Sequence, residues 1–115
     1  MLKNALLKII HNAISEEELK QSVVYIQPSI AAGETITINR KQEQVAMPAL
    51  LLFIDMEPGV NWSHKCKYIL VESEGRQSRI VDGQFPPSSE NLEILMKPPG
   101  IQDWQLLTND FFGNQ

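Results

Sequence analysis

The sequence predicts an α+β fold: N-terminal helices packed on a mainly antiparallel sheet of about four to five strands, with a short C-terminal helix or turn. Three observations predict it. Apolar residues recur at helical spacing over the first thirteen positions, strict alternation marks 35–39, and apolar runs punctuated by turn residues follow between 49 and 82. The 115 residues match the common size of one domain, so 1–115 reads as a single domain. A chain of that length buries enough surface to stand without disulfides or a structural metal.

Leu2, Ala5, Leu6, Ile9, Ile10 and Ala13 lie three and four apart, the stripe of an amphipathic helix, with Lys3, Lys8 and Asn12 on other faces. His11 falls on the polar side. Ser15 followed by Glu18 matches a capping box, which starts a second short helix. Glu16, Glu17 and Glu18 then lie in a first turn, where the helix dipole favours negative charge. Val23 to Ile26 is β-branched and aromatic, a short strand or a helix end that Pro28 stops. Ala32-Gly33 reads as a turn, and Thr35 to Asn39 alternates with its isoleucines on one face. The polar stretch 40–44 shows no helical stripe.

Ala49 to Ile54 is continuously apolar, which predicts a strand buried on both faces near the middle of the sheet. Lys67 to Val71 and Gln77 to Asp82 flank Glu72-Ser73-Glu74-Gly75 as a hairpin. Gly83, Pro86 and Pro87 end that unit. Ser88 or Ser89 then caps a short helix carrying Leu92, Leu95 and Met96, which Pro98-Pro99-Gly100 terminates. Trp104 to Leu107 is a last strand or a docked turn, and Phe111-Phe112 either folds back on the core or forms an apolar interaction patch.

Composition narrows the function classes. Ten basic against fourteen acidic residues give a net charge of −4, which opposes non-specific attraction to phosphate backbones and argues against nucleic acid. Cys66 is the only cysteine, so no intrachain disulfide forms, in keeping with a reducing compartment. Lys8 and His11 interrupt the N-terminal apolar run and glutamates follow it, unlike a signal peptide. No stretch approaches the roughly 20 apolar residues of a membrane-spanning helix. The expected compartment is the cytoplasm.

One segment concentrates chemistry: Asp55, Glu57, Asn61, Trp62, His64 and Cys66, with Lys65 and Lys67 interleaved. On strands, Asp55 and Glu57 share a face, as do His64 and Cys66. If the two segments pair across the intervening loop, all four groups face one side and offer carboxylate, imidazole and thiolate ligands of the kind zinc accepts. The segment lacks a second CxxC or HxxxH element, the spacing that makes such a site specific. A Cys66–His64 nucleophile is the second reading, with Lys65 and Lys67 lending positive charge. Strand geometry opposes it, because it sets those side chains about 7 Å apart. General acid–base work by Asp55 and Glu57 is the third, against the commoner role of strand-end carboxylates as acceptors of backbone hydrogen bonds.

The leading reading is a non-enzymatic interaction or accessory protein that recognises a protein partner through the 57–65 loop, with Trp62, Asn61 and Lys65 as contact residues. Self-association is the related option, with the first helix pairing across a homodimer. The alternative is a metal- or thiol-dependent enzyme using Asp55, Glu57, His64 and Cys66. A third option is a single-strand nucleic-acid binder using Trp62, Lys65, Lys67 and Arg76.

Overall fold

The structure is a computed structural model that describes residues 2–57, 65–72, 77–85, 87, 92–97 and 100–101. Helices α1 (Leu2–Ala13) and α2 (Glu16–Leu19) precede eight strands: β1 (Val23–Ile30), β2 (Thr35–Ile38), β3 (Lys41–Gln44), β4 (Ala49–Asp55), β5 (Cys66–Glu72), β6 (Gln77–Gly83), β7 (Glu93–Lys97) and β8 (Gly100–Ile101). Six strands form one antiparallel sheet in the order β6-β5-β4-β1-β7-β8, and β2-β3 form a separate hairpin. No described helix is long and apolar enough to cross a membrane.

The sheet is the middle of three layers. Along β4, Leu50, Leu52 and Ile54 point to one face and Ala49, Leu51 and Phe53 to the other, and all six are buried. That double burial is what the continuous apolar run of 49–54 demands, and it places β4 inside the sheet. On the first face, Leu6, Ile10 and Ile14 pack with Val24, Ile26, Ile69, Val71 and Leu95. The α1 stripe is therefore consumed by the chain's own sheet. On the second face, Ile36 and Ile38 of β2 lie over Leu51, Phe53, Tyr68 and Leu70.

The capping box forms as its spacing requires. The Glu18 N–H donates to Ser15 Oγ at 3.1 Å and the Ser15 N–H to the Glu18 carboxylate at 3.0 Å. These bonds, backbone first, hold the Glu18 carboxyl below its ordinary range, with Lys65 adding to the effect. Ser22 is buried, and its hydroxyl donates to the Glu18 carbonyl at 2.7 Å, closing the α2 end.

Three sequence expectations change. Pro28 does not stop β1, which continues to Ile30; the proline sits where the β1–β4 register shifts between Gln27 and Ile30. A bulge is one of the few places a strand accepts a residue without an N–H. The polar stretch after Arg40 is strand β3, paired from Lys41 with Ile38 to Gln44 with Thr35. The expected C-terminal helix is instead strand β7: Leu95 is buried beside Val24 while Ile94 is exposed, a two-residue alternation. β7 satisfies the open edge of β1 at Val24, Tyr25 and Ile26. Unpaired backbone groups beside a core strand outweigh the helical spacing of three apolar residues. The five longer strands of the main sheet match the four to five expected, and the two-residue β8 extends it among the described residues. The expectations for Trp104 to Leu107 and for Phe111-Phe112 lie outside the described residues.

Candidate functional site

The chemistry-rich segment joins the neighbouring interior strands β4 and β5. Their ladder places Asp55 directly opposite Cys66, so these two groups share the face that the β2-β3 hairpin covers. Beyond that pair the chain clips itself shut. The Met56 N–H donates to the Lys65 carbonyl at 3.1 Å, and the Glu57 N–H donates to Asp55 Oδ1, also at 3.1 Å. The Lys65 N–H donates to the Glu57 carboxylate in a short hydrogen bond. Both carboxylates thus accept main-chain bonds that close the loop base.

This geometry bears unequally on the four expected ligands. Asp55 and Cys66 come together as the register predicts. The Glu57 carboxylate turns back to the Lys65 backbone. His64 lies outside the described residues, as do Asn61 and Trp62. Among the described residues, no cluster of three or more His, Cys, Asp or Glu side chains has the arrangement to hold a metal ion.

Cys66 is fully buried, with its thiol 3.8 Å from the Phe85 carbonyl. Tyr68 is buried two residues along the same face and donates its hydroxyl to that same carbonyl in a short bond. Burial pushes the Cys66 thiol up to about 11, and the Asp55 charge adds to the rise. The backbone of Phe85 acts the other way, and Asp82 raises it further. Burial likewise lifts the Tyr68 phenol to about 12, opposed by the backbone of Asn39. A nucleophilic cysteine needs a lowered pKa and access. Cys66 has neither, and at neutral pH it is a small protonated hydrophobe that fills the space between β5 and residue 85.

The lysines are also engaged. Lys65 Nζ lies 3.6 Å from the Glu18 carboxylate on α2, and Lys67 Nζ lies 3.0 Å from Asp82 on β6. β5 is an interior strand, so Lys67 does not guard a sheet edge as strand-edge lysines do. Of the four groups expected to grip a single-stranded nucleic acid, Lys65 and Lys67 are matched by carboxylates. Trp62 and Arg76 lie outside the described residues.

A second constellation was not anticipated. The β2-β3 hairpin turns through Asn39 and Arg40, both at positive φ (51° and 70°). Paired positive φ values are the mark of the two-residue turn whose twist suits a hairpin, and asparagine tolerates it best. For arginine the left-handed conformation costs roughly 1–2 kcal/mol. Partial compensation comes from the Arg40 guanidinium, which sits 3.7 Å over the Phe85 ring centroid. Asn39 Oδ1 accepts the Gln84 N–H at 3.0 Å, and a Cβ on Gly83 would come within 3.0 Å of that oxygen and 3.1 Å of the Tyr68 ring. The hairpin tip is therefore pinned to residues 83–85, above Cys66 and Tyr68. The sequence signal was Asn39 standing between Ile38 and Lys41, a turn residue between two extended segments. The polarity of β3 concealed it.

Comparison of the chain with protein families, curated proteins and solved structures finds no significant match.

Proposed function

We propose that the chain is a non-catalytic interaction or accessory protein that recognises a protein partner through the 57–65 connection. One observation carries this reading: the loop base is closed by bonds from Glu57 N to Asp55, from Lys65 N to Glu57 and from Met56 N to the Lys65 carbonyl. Carboxylates spent on backbone amides hold a loop in position and leave less capacity for proton transfer or metal ligation. A scaffold of this kind, with a rigid central sheet presenting one connection, is the usual setting for a binding loop. Trp62 would be its anchor, since aromatic residues dominate binding energy at protein interfaces.

The enzyme alternative receives less support. Cys66 is buried with a raised pKa, and Glu57 is committed to the loop base. Zinc binding retains only the facing pair of Asp55 and Cys66 in its favour.

The test is Trp62→Ala, compared with the unsubstituted protein by quantitative affinity capture and by thermal melting. The reading expects loss of a stoichiometric partner with a melting temperature changed by less than about 2 °C, the shift that ~0.5 kcal/mol gives in a domain this size. A fall several times larger assigns Trp62 to packing and overturns the loop as a recognition surface.

A further inference from the structure

The two edges of the main sheet differ. One edge is β8, only two residues long, a length that offers little to pair with. The other is β6, seven residues that pair with β5 without a register shift from Gln77–Glu72 to Gly83–Cys66. Among the described residues β6 is the outermost strand on that side. It contains no proline and no lysine, its ladder with β5 has no bulge such as the one in β1, and its two charged residues, Arg79 and Asp82, are matched by Glu43 and Lys67 of the same chain. Ile80 stands at its midpoint and is 44% exposed, on the face that α1 covers further in.

We infer that β6 is a self-association edge, pairing antiparallel with β6 of a second copy about a two-fold axis at Ile80. The surface is independent of the 57–65 loop. The residue pattern is self-complementary in this register. Ile80 meets Ile80 of the partner subunit. Arg79 stands opposite Val81 of the partner subunit, and Asp82 opposite Ser78 of the partner subunit. Gln77 stands opposite Gly83 of the partner subunit. No like charges meet, which is the condition an isologous strand pair must satisfy. Ile80 also lies directly across from buried Ile69 on β5. Pairing therefore joins the aliphatic layers of two copies through Ile69, Ile80 and their symmetry equivalents. The result is one continuous antiparallel sheet with α1 of both copies on the same side.

Sedimentation velocity over a concentration series tests this, using the full chain at up to roughly 1 mM, where even a weak association registers. The wild-type protein should reach twice its 13.0 kDa monomer mass. Ile80→Lys sets two like charges face to face at the axis and should raise the dissociation constant at least about tenfold. Its circular dichroism should match the wild type, because the side chain it replaces is already exposed.

A second variant reads the register itself. Ile80→Cys places two thiols on directly opposed positions, whose Cα atoms in an antiparallel pair lie about 4.5–5.5 Å apart, within disulfide range. Mild oxidation should yield a covalent dimer, while Asp82→Cys should not link to itself. Buried Cys66 does not compete. A 13.0 kDa species at every concentration overturns the proposal. So does a dimer that Ile80→Lys leaves intact, or one that Asp82→Cys links and Ile80→Cys does not.

Discussion

The two faces of the main sheet are built from different materials. The α1 face is aliphatic throughout, with Leu6, Ile10, Val24, Leu50, Leu52, Ile54, Ile69 and Leu95 in its fully buried part. The hairpin face holds all the described aromatic residues: Tyr25, Phe53, Tyr68 and Phe85. It also carries Cys66, the Phe85 carbonyl and the Asn39 amide. Aliphatic burial is non-directional, so α1 is held by area and tolerates small shifts. The hairpin is held by bonds with preferred directions, which allow one placement of its tip. One face supplies cohesion and the other supplies position. The loop base at Asp55 and Cys66 opens on the positioned face.

Adjacent residues on β4 test that contrast most directly. Leu52 faces α1, whereas Phe53 sits between Tyr25 and Tyr68, with ring centroids 5.8 and 5.1 Å away. Leu52→Ala should cost about 2–5 kcal/mol and Phe53→Ala about 3–5 kcal/mol by urea denaturation. The sharper comparison uses gentler changes. Leu52→Met should cost less than about 1.5 kcal/mol, because an aliphatic layer accepts a volume-conserving swap. Phe53→Leu should cost more, since it also forfeits two ring contacts of about 0.5–1.5 kcal/mol each. Equal costs for the two mild variants would mean that the hairpin face is no more specific than the other.

What could be read in the sequence follows the same division. The α1 stripe, the capping box at Ser15 and Glu18, the central strand 49–54 and the hairpin of β5 and β6 were legible because each rests on a local pattern. β3 was not, since its residues carry no buried alternation and its strand form comes from pairing with β2. β7 was misread as a helix because the spacing of Leu92, Leu95 and Met96 fits a helical turn, while the open edge of β1 decides the outcome. At the candidate site, the approach of Asp55 to Cys66 followed from strand parity. The diversion of Glu57 to the Lys65 backbone did not, because a turn's internal hydrogen bonds depend on side-chain rotamers that spacing leaves open. The tether from Asn39 and Arg40 to residues 83–85 joins segments more than forty positions apart, a long-range contact that no local window contains.

Burial of the Cys66 thiol and the Tyr68 phenol on the hairpin face also predicts a pH dependence that the α1 face lacks. Tyr68→Phe leaves the Phe85 carbonyl without its hydroxyl donor and should cost about 1–3 kcal/mol at neutral pH. Folding raises the Tyr68 phenol from 10.0 to about 12 and the Cys66 thiol from 9.0 to about 11. For groups raised by folding, the unfolded chain loses its protons first. Their contribution is therefore complete below pH 9 and is lost as pH climbs through the folded values. Wild-type melting temperature should fall between pH 9 and 12, and Tyr68→Phe should lack the part above pH 10. Leu52→Met, on the other face, should track the wild type throughout. Parallel curves for wild type and Tyr68→Phe would show that folding does not raise the phenol's pKa.

The smallest expected effect concerns how tightly the hairpin tip is set. Gly83→Ala places a methyl 3.0 Å from Asn39 Oδ1 and 3.1 Å from the Tyr68 ring, and overpacking of that kind costs about 1 kcal/mol or somewhat more. Asn39→Gly removes the amide that the methyl would meet and relieves the left-handed backbone, at the loss of the bond from the Gln84 N–H. The two changes should not add. In the Asn39→Gly background, Gly83→Ala should cost at least about 0.5 kcal/mol less than it does alone, because one of its two obstacles is gone. Additive costs would mean that the tip already has room to move, and that its bonds to residues 83–85 follow the position of the hairpin rather than set it. Coupling would place the determinant in the Asn39 side chain, which gives this face one arrangement where the aliphatic face accepts several.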